Sequence, residues 1–295
     1  MKSPIDPLRV PTSAPRSGLV IGTVLLGRYR VKEFLRRGGA AEIFLAEDER
    51  EHRTVVVKVP NDECMKLAVE RERFQREASF LAQLTHPHIV PFLDAGEDQG
   101  FAFVILAHMS GGSLVDRVHA QGTGAPPTLP VADLVTWLED IASALDFMHG
   151  KGVIHRDLSP ENILFDDEGR ARIADFGISK AVVGQTSLTK SGFAVGKPEF
   201  MDPEQILDHV LTGATDQYSL ATVVYVVLSG KAPYRRGSLG TLLWAKTHED
   251  AVPLSSTAPH LPASVVAAVD RALRRDPAQR FPTCVDFAKA ALVGI

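Results

Sequence analysis

Residues 153–177 read VIHRDLSPENILFDDEGRARIADFG. Two short apolar runs, ILF at 163–165 and RIA at 172–174, flank the turn sequence DDEG at 166–169. Turn residues between β-prone runs of this length predict a β-hairpin that pairs 163–165 with about 171–174. That register sets Asn162 opposite Asp175 at the open end of the hairpin, beside the loop that carries Asp157. Oxygen-bearing side chains placed together in this way suit a hard cation such as magnesium, with phosphate oxygens completing its shell. The alternative reading of the same two residues is ordinary turn or capping chemistry.

Upstream of this stretch, from Tyr29 to about Met109, short β-rich runs dominate, among them 43–46, 54–59 and 101–106. One helix, about 67–84, interrupts them, with Phe74, Ala78, Leu81 and Leu84 on one face. Glu77 falls in the middle of that face. A carboxylate aimed inward needs a cation, and the interior-looking cation nearby is Lys58 in the run VVVKV, so a strand-to-helix ion pair is expected. The alternative is Glu77 at a wet edge of the helix. Downstream of Gly111 the pattern turns helical. A Gly/Pro-rich loop at 119–130 precedes a helix marked by Leu134, Leu138, Ile141, Leu145 and Met148 and stopped by Gly150 and Gly152.

The chain has 295 residues, which at about 150 residues per domain suggests two domains or one bilobed fold. Its hydrophobic fraction of 45% and charged fraction of 23% belong to a folded soluble protein. The 32 basic and 36 acidic residues argue against a large nucleic-acid footprint, so no nucleic-acid partner is expected. The longest apolar stretch, 220–228, is interrupted by Thr222 and is too short to span a bilayer, so it reads as a buried helix. Cys64 and Cys284 are too few for a disulfide framework and read as buried thiols in a reducing cytosol. Residues 1 to about 20 carry four prolines and no apolar signal core, and are expected to form a flexible leader of a cytoplasmic protein.

His155-Arg156-Asp157 with Asn162 five residues beyond the aspartate, then Asp175-Phe176-Gly177, with VVVK upstream and Asp202-Pro203-Glu204 downstream, resembles the protein-kinase signature set in family order. The HRDLSPEN form and the HPHIV segment at 86–90 most resemble the bacterial Ser/Thr protein kinases of eukaryotic (Hanks) type. The resemblance spans about Tyr29 to Val293. It implies an α+β, bilobed fold with a small β-rich lobe over 29–109, a larger helical lobe over 110–293 and the active site between them. It also implies transfer of the ATP γ-phosphate to Ser/Thr hydroxyls of protein substrates. Lys58 then matches the lysine on the α and β phosphates and Glu77 its partner; Asp157 matches the catalytic aspartate; Asn162 and Asp175 match the ligands of Mg2+, with Mn2+ as a substitute. By the same resemblance Leu106 is the gatekeeper, the backbone of Ala107 and Met109 meets adenine, Leu164 is the floor and Val56 the ceiling of its pocket. Leu35, Gly38, Gly39 and Ile43 complete the nucleotide site. Leu81, His155 and Phe176 fall on the regulatory spine, Glu204 should pair with Arg280, and Asp216 should brace the catalytic loop. Thr186, Ser187, Thr189 and Ser191 lie in the activation segment, where Thr189 and Ser191 are the preferred phosphorylation sites and Arg156 the phosphate anchor. The alternative is that these hydroxyls are plain solvated loop residues. A homodimer for trans-autophosphorylation is the implied assembly. Ile178 hints at threonine as acceptor, and Ser159-Pro160-Glu161 does not resemble tyrosine kinases.

The chain also departs from the pattern. In LRRGGAAEIFLA, Arg36 stands where the first family glycine does and Ala41 at the third, so Arg36 either adds a cation at the pocket mouth or partly blocks it. Ser159 stands where Ser/Thr kinases carry lysine, and Lys197 where they carry threonine. The simplest physical reading is an exchange in which Lys197 supplies the cation near Asp157 and Ser159 the hydroxyl. The rival function is a nucleotide-binding pseudokinase acting as a regulatory or scaffold partner, motivated by Arg36, Val56 and Ser159. An active enzyme is favoured because Lys58, Glu77, Asp157, Asn162 and Asp175 are all present. The sequence given ends at Ile295, just past the helix with Phe287 and Ala291, and within it no sensor or membrane segment is expected.

Overall fold

The computed structural model describes residue 15 and residues 17–37, 41–60, 78, 82–121, 126–175, 197–234 and 237–295. The chain divides into two compact units, residues 1–83 with 91–108, and residues 84–90 with 109–295. One is β-rich and the other helical, the α+β class expected.

The first unit is an antiparallel sheet of strands β1 (Val24–Leu25), β2 (Tyr29–Arg37), β3 (Ala41–Asp48), β4 (Arg53–Pro60), β5 (Phe92–Asp98) and β6 (Phe101–Ala107), in the order β1-β2-β3-β4-β6-β5. Alternation along RTVVVKVP drives β4: Val55, Val57 and Val59 are buried, while Val56 and Lys58 occupy the other face. The buried set joins Leu25, Tyr29, Val31, Phe44, Phe103 and Ile105 in one core. Each such side chain contributes about 1.5–3 kcal/mol of burial free energy. Between β5 and β6, Gln99 and Gly100 both have positive φ, 50° and 83°, which gives the two-residue turn whose twist matches that of paired strands.

Of the leader expected over residues 1–20, the described residues 17–19 belong to the fold. Leu19 is 1% exposed and belongs to the sheet core. The Ser17 amide and hydroxyl both donate to Glu42 Oε2, at 3.1 and 2.5 Å. Arg37 donates to the other oxygen of the same buried carboxylate, at 2.6 Å through Nη2. A single leucine in a proline-rich stretch carries no periodicity, so only the sheet that receives it reveals that the folded part begins before Tyr29.

The second unit holds helices α1 (Leu114–Gln121), α2 (Leu138–Gly150), α3 (Pro203–Ile206), α4 (Gly213–Ser229), α5 (Leu239–His248), α6 (Leu254–Thr257), α7 (Ala263–Ala272) and α8 (Cys284–Leu292). It also holds the two-stranded ribbon β7 (Ile163–Phe165) and β8 (Ala171–Ile173). The central helix α4 is buried along nearly its whole length, and α2, α7 and α8 pack around it. Thr212 caps its start by accepting from the Ala214 amide, and Gly230 closes it with a left-handed φ of 65°. Leu134, expected in α2, lies instead in a 3-10 turn, Val131–Thr136. The backbone breaks from helical geometry at Trp137, φ −151°, before α2 begins. Residues 84–90 join this unit because the Val90 amide donates to Ile173 O and the Ile173 amide to His88 O. Among the described residues no helix is long and apolar enough to cross a membrane.

Candidate active site

The loop 153–162 is positioned from below by Asp216, in the first turn of α4. Its fully buried carboxylate accepts the His155 amide at 2.8 Å, the Arg156 amide at 2.9 Å and His149 Nε2 at 2.7 Å. A Cβ on Gly213 would stand 2.7 Å from His149 Nδ1, so glycine at the start of α4 is what lets the imidazole reach Asp216. Burial alone would raise the Asp216 carboxyl, yet the His149 hydrogen bond and charge hold it below its ordinary value. Burial likewise opposes a charged His149, but Asp146 and Asp216 outweigh it and push the imidazole up to about 9. Arg156 has a left-handed φ of 63°, a conformation costing a non-glycine residue about 1–2 kcal/mol, and its amide is one of the two that Asp216 pins.

His155 is buried and ties this loop to the end of β8. Its Nδ1 accepts the Asp157 amide at 3.3 Å, so Nε2 carries the proton and donates to Ala174 O at 3.1 Å. Asn162 Nδ2 donates to Asp157 O at 2.8 Å, which orients the carboxamide and leaves Oδ1 as its acceptor. A carboxamide oxygen and a carboxylate, as Asn162 and Asp175 carry, are donor types that fit a hard divalent cation.

The hairpin register differs from the expected one. Ile163 pairs with Ile173, which sets Ala174 opposite Asn162, and the Ala174 amide donates to Asn162 O at 2.8 Å. Asp175 lies one residue further on, with a left-handed φ of 54° that ends the strand and its alternation. The observed register sets the buried Ile163 and Phe165 opposite the buried Ile173 and Ala171, and the half-buried Leu164 opposite Arg172; the turn at 166–170 joins the strands. There Asp166 Oδ1 accepts the Glu168 and Arg170 amides, at 3.1 and 2.9 Å.

Lys197 leads the segment that follows. Its Nζ lies 2.5 Å from Glu161 Oε2 and donates to Ser159 Oγ at 3.4 Å. The segment is anchored from several sides: Ser219 Oγ donates to Phe200 O at 2.9 Å, and Gln205 Nε2 to Arg156 O at 3.0 Å. Lys246 Nζ donates to Met201 O at 2.8 Å. Arg280 Nη2 meets Glu204 Oε1 at 2.7 Å in the ion pair expected from the sequence. Asp202, an alanine position in the family pattern, caps α3 by accepting the Gln205 amide, and burial together with Glu204 pushes its carboxyl up.

Lys246 and His149 are site-supporting residues that the sequence reading missed. Lys246 is fully buried against the rings of Tyr218 and Tyr234, at 5.1 and 5.2 Å, and burial pushes its ammonium down to about 7. Neither position carries a local signal, since LLWAKTH and DFMHGKG read as ordinary helix ends. Asp146, His149 and Cys284 bring donor atoms within 4.8 Å of one another. Burial pushes the Cys284 thiol up, and Asp146 already accepts the Cys284 and Val285 amides, so this cluster caps α8.

In the first unit, Lys58 stands opposite Ile43 on one side and Val104 on the other, and Val56 stands between Leu45 and Leu106. Directly opposed residues of antiparallel strands share a face, so Ile43, Val56, Lys58 and Leu106 line the face opposite the core. Ala107 ends β6, and Leu35 is an extra residue in β2 between the pairs Phe34 with Phe44 and Arg36 with Ile43. In the second unit, Leu164 pairs with Arg172, and Met109 opens the stretch 109–295. Gly38, Gly39, Glu77, Leu81, Phe176, Thr186, Ser187, Thr189 and Ser191 lie outside the described residues, as do Cys64 and the expected Lys58 to Glu77 pair.

The sequence profile described as protein kinase domain matches residues 29–291. Serine/threonine-protein kinase PknD of Mycobacterium tuberculosis is 38% identical over 266 residues, covering 90% of this chain and 39% of the relative. PknH of Mycobacterium bovis is 36% identical, over 90% of this chain and 44% of its own length. PknB of Mycobacterium leprae is 32% identical, over 89% and 42%. The chain thus spans less than half the length of these relatives. The crystal structure of the Mycobacterium tuberculosis PknI kinase domain superposes with a TM-score of 0.69 at 28% identity, covering 92% of this chain and 98% of that one.

Proposed function

Because the chain belongs to the protein kinase domain family, we propose that it is a serine/threonine protein kinase that transfers the γ-phosphoryl group of ATP to hydroxyls of protein substrates. The observation that carries this reading is the loop 155–162. Its backbone is clamped by Asp216, and the Asn162 side-chain Nδ2 donates to Asp157 O, a fixed geometry of the kind that phosphoryl transfer uses. In the proposed step the acceptor hydroxyl oxygen forms a bond to the γ-phosphorus while the bond from that phosphorus to the β–γ bridging oxygen breaks. ADP leaves, and the hydroxyl proton passes to the Asp157 carboxylate. Asn162 and Asp175 would hold Mg2+, or Mn2+ in its place, which when bound neutralises phosphate charge. Lys58 would hold the α and β phosphates with Glu77 as its partner. Leu35, Gly38, Gly39, Ile43, Val56, Ala107, Met109 and Leu164 would receive the rest of the nucleotide.

Control by phosphorylation at Thr189 or Ser191, in trans between two copies, belongs to the same proposal, as does a cytoplasmic location. A pseudokinase role is not favoured, because the groups that the chemistry needs are retained. The test is autophosphorylation with labelled ATP: transfer by the wild-type chain and none by Asp157→Asn supports the reading. Equal labelling of the two, or of neither, defeats it.

A further inference from the structure

Phosphoryl transfer spreads negative charge over the oxygens of the moving group, and a cation close to the base is the usual means of stabilising it. The residues following Asp157, namely Leu158, Ser159, Pro160, Glu161 and Asn162, include no cation. Lys197 brings one there. Its ammonium meets Glu161 at 2.5 Å and Ser159 Oγ at 3.4 Å, and Ser159 is 1% exposed.

The Lys197 side chain is 41% exposed and that of Glu161 29%, so the geometry of the pair is set by the segments that carry it and not by burial. Each of the two carrying segments has anchors of its own, and a hydrogen bond from Gln205 to Arg156 O ties them together. On one side, Glu161 sits in the 3-10 turn Pro160–Asn162, which the Asn162 to Asp157 bond and the Asn162 amide on Ser159 O close. On the other, the turn following Lys197 closes through the Phe200 amide on Lys197 O. Ser219 then holds Phe200, Lys246 holds Met201, and Gln205 returns to Arg156 O beside Asp157. The ammonium has three donors. Ser159 Oγ accepts one of them, and Glu161 Oε2 lies at ion-pair distance.

We propose that Lys197 is the catalytic cation that neutralises the transferring phosphoryl group beside Asp157, with Glu161 and Ser159 as its positioning residues. The proposal rests on the phosphotransferase reading above. Glu161, held in its 3-10 turn, positions the ammonium over the loop. The arrangement also places a required charge on the segment that leads into α3 rather than on the loop of the base. Displacement of that segment would therefore remove the cation and leave the base in place.

The test is steady-state phosphorylation of a generic protein acceptor by the full chain, with nucleotide affinity measured separately by a fluorescent ATP analogue. Lys197→Ala is expected to lower kcat about 100-fold, the scale of losing one preorganised charge-stabilising group, with nucleotide affinity changed less than roughly threefold. Ser159→Lys added to Lys197→Ala is expected to restore roughly tenfold or more of that loss, because the charge returns from the loop side. Glu161→Gln is expected to lower kcat about tenfold alone and to have no further effect in the Lys197→Ala background. A Lys197→Ala protein with near wild-type kcat overturns the proposal, and so does full additivity of Glu161→Gln with Lys197→Ala. Should Lys197→Ala melt well below wild type, Lys197→Met, which keeps the stem, takes its place in the same comparisons. Asp157→Asn keeps the failures apart. If it transfers like wild type, the phosphotransferase reading falls and this proposal with it; if it is inactive while the Lys197 variant is active, this proposal alone falls.

Discussion

His149 Nε2 and Asp216 Oδ2 meet at 2.7 Å beneath the loop of Asp157, and the same carboxylate oxygen accepts the His155 amide at 2.8 Å. The clamp on the candidate catalytic loop is therefore charge-balanced from α2. A buried carboxylate on backbone amides alone would lack a counter-charge, and the imidazolium provides one.

This pairing makes stability pH-dependent in a defined direction. The folded imidazole titrates at about 9, against an ordinary value of 6.5. Its stabilising contribution is fully present below about 6.5 and is lost as pH rises through about 9. The shift corresponds to roughly 3 kcal/mol at most. Urea denaturation from pH 6 to pH 9.5 should show a falling midpoint for wild type and a much flatter one for His149→Gln. Parallel curves would contradict the assignment.

Lys246 acts in the opposite sense. Its folded value near 7 lies below the ordinary 10.5, so the unfolded chain binds the extra proton between these values. The wild-type chain should gain stability relative to Lys246→Met as pH rises from about 7 toward about 9.5. The variant should be least disadvantaged at or below pH 7. Thermal midpoints of the pair across this range read the effect, and a pH-independent difference would sink it.

The buried pair of Arg280 and Glu204 should be far more sensitive to breaking than to replacement. Arg280→Ala leaves a buried carboxylate without its partner and is expected to cost about 3–5 kcal/mol. Arg280→Met with Glu204→Leu should recover part of that loss, since neither buried charge remains. Chemical denaturation of the single and double variants measures both; a double variant less stable than Arg280→Ala would refute the argument.

Leu19 tests where the first unit begins. Leu19→Ala, a large-to-small change in the sheet core, should destabilise by about 2–5 kcal/mol, whereas Val20→Ala, at an exposed neighbour, should change stability by less than about 0.5 kcal/mol. Equal effects would mean that the segment does not contribute to the core.

The sequence by itself determined the elements and most of the chemistry in play. The alternation of VVVKV makes β4, the apolar run at 220–228 makes the buried α4, and the order of Asp157, Asn162 and Asp175 marks the candidate site. These are local patterns, set by strand and helix periodicity and by short motifs. What tertiary structure decided is which distant groups meet. The β7–β8 register differs by one residue from the expected one and pairs the buried Ile163 and Phe165 with the buried Ile173 and Ala171. Lys246 reads as an ordinary helix lysine until it is seen donating to Met201 O, 45 residues earlier, between two tyrosines. Leu19 is legible only from the sheet that buries it. Lys197 could be named from the sequence, but its seat on Glu161 and Ser159 could not. Burial and pairing belong to the folded chain as a whole, and a residue's own neighbours in sequence do not encode who will share its interior.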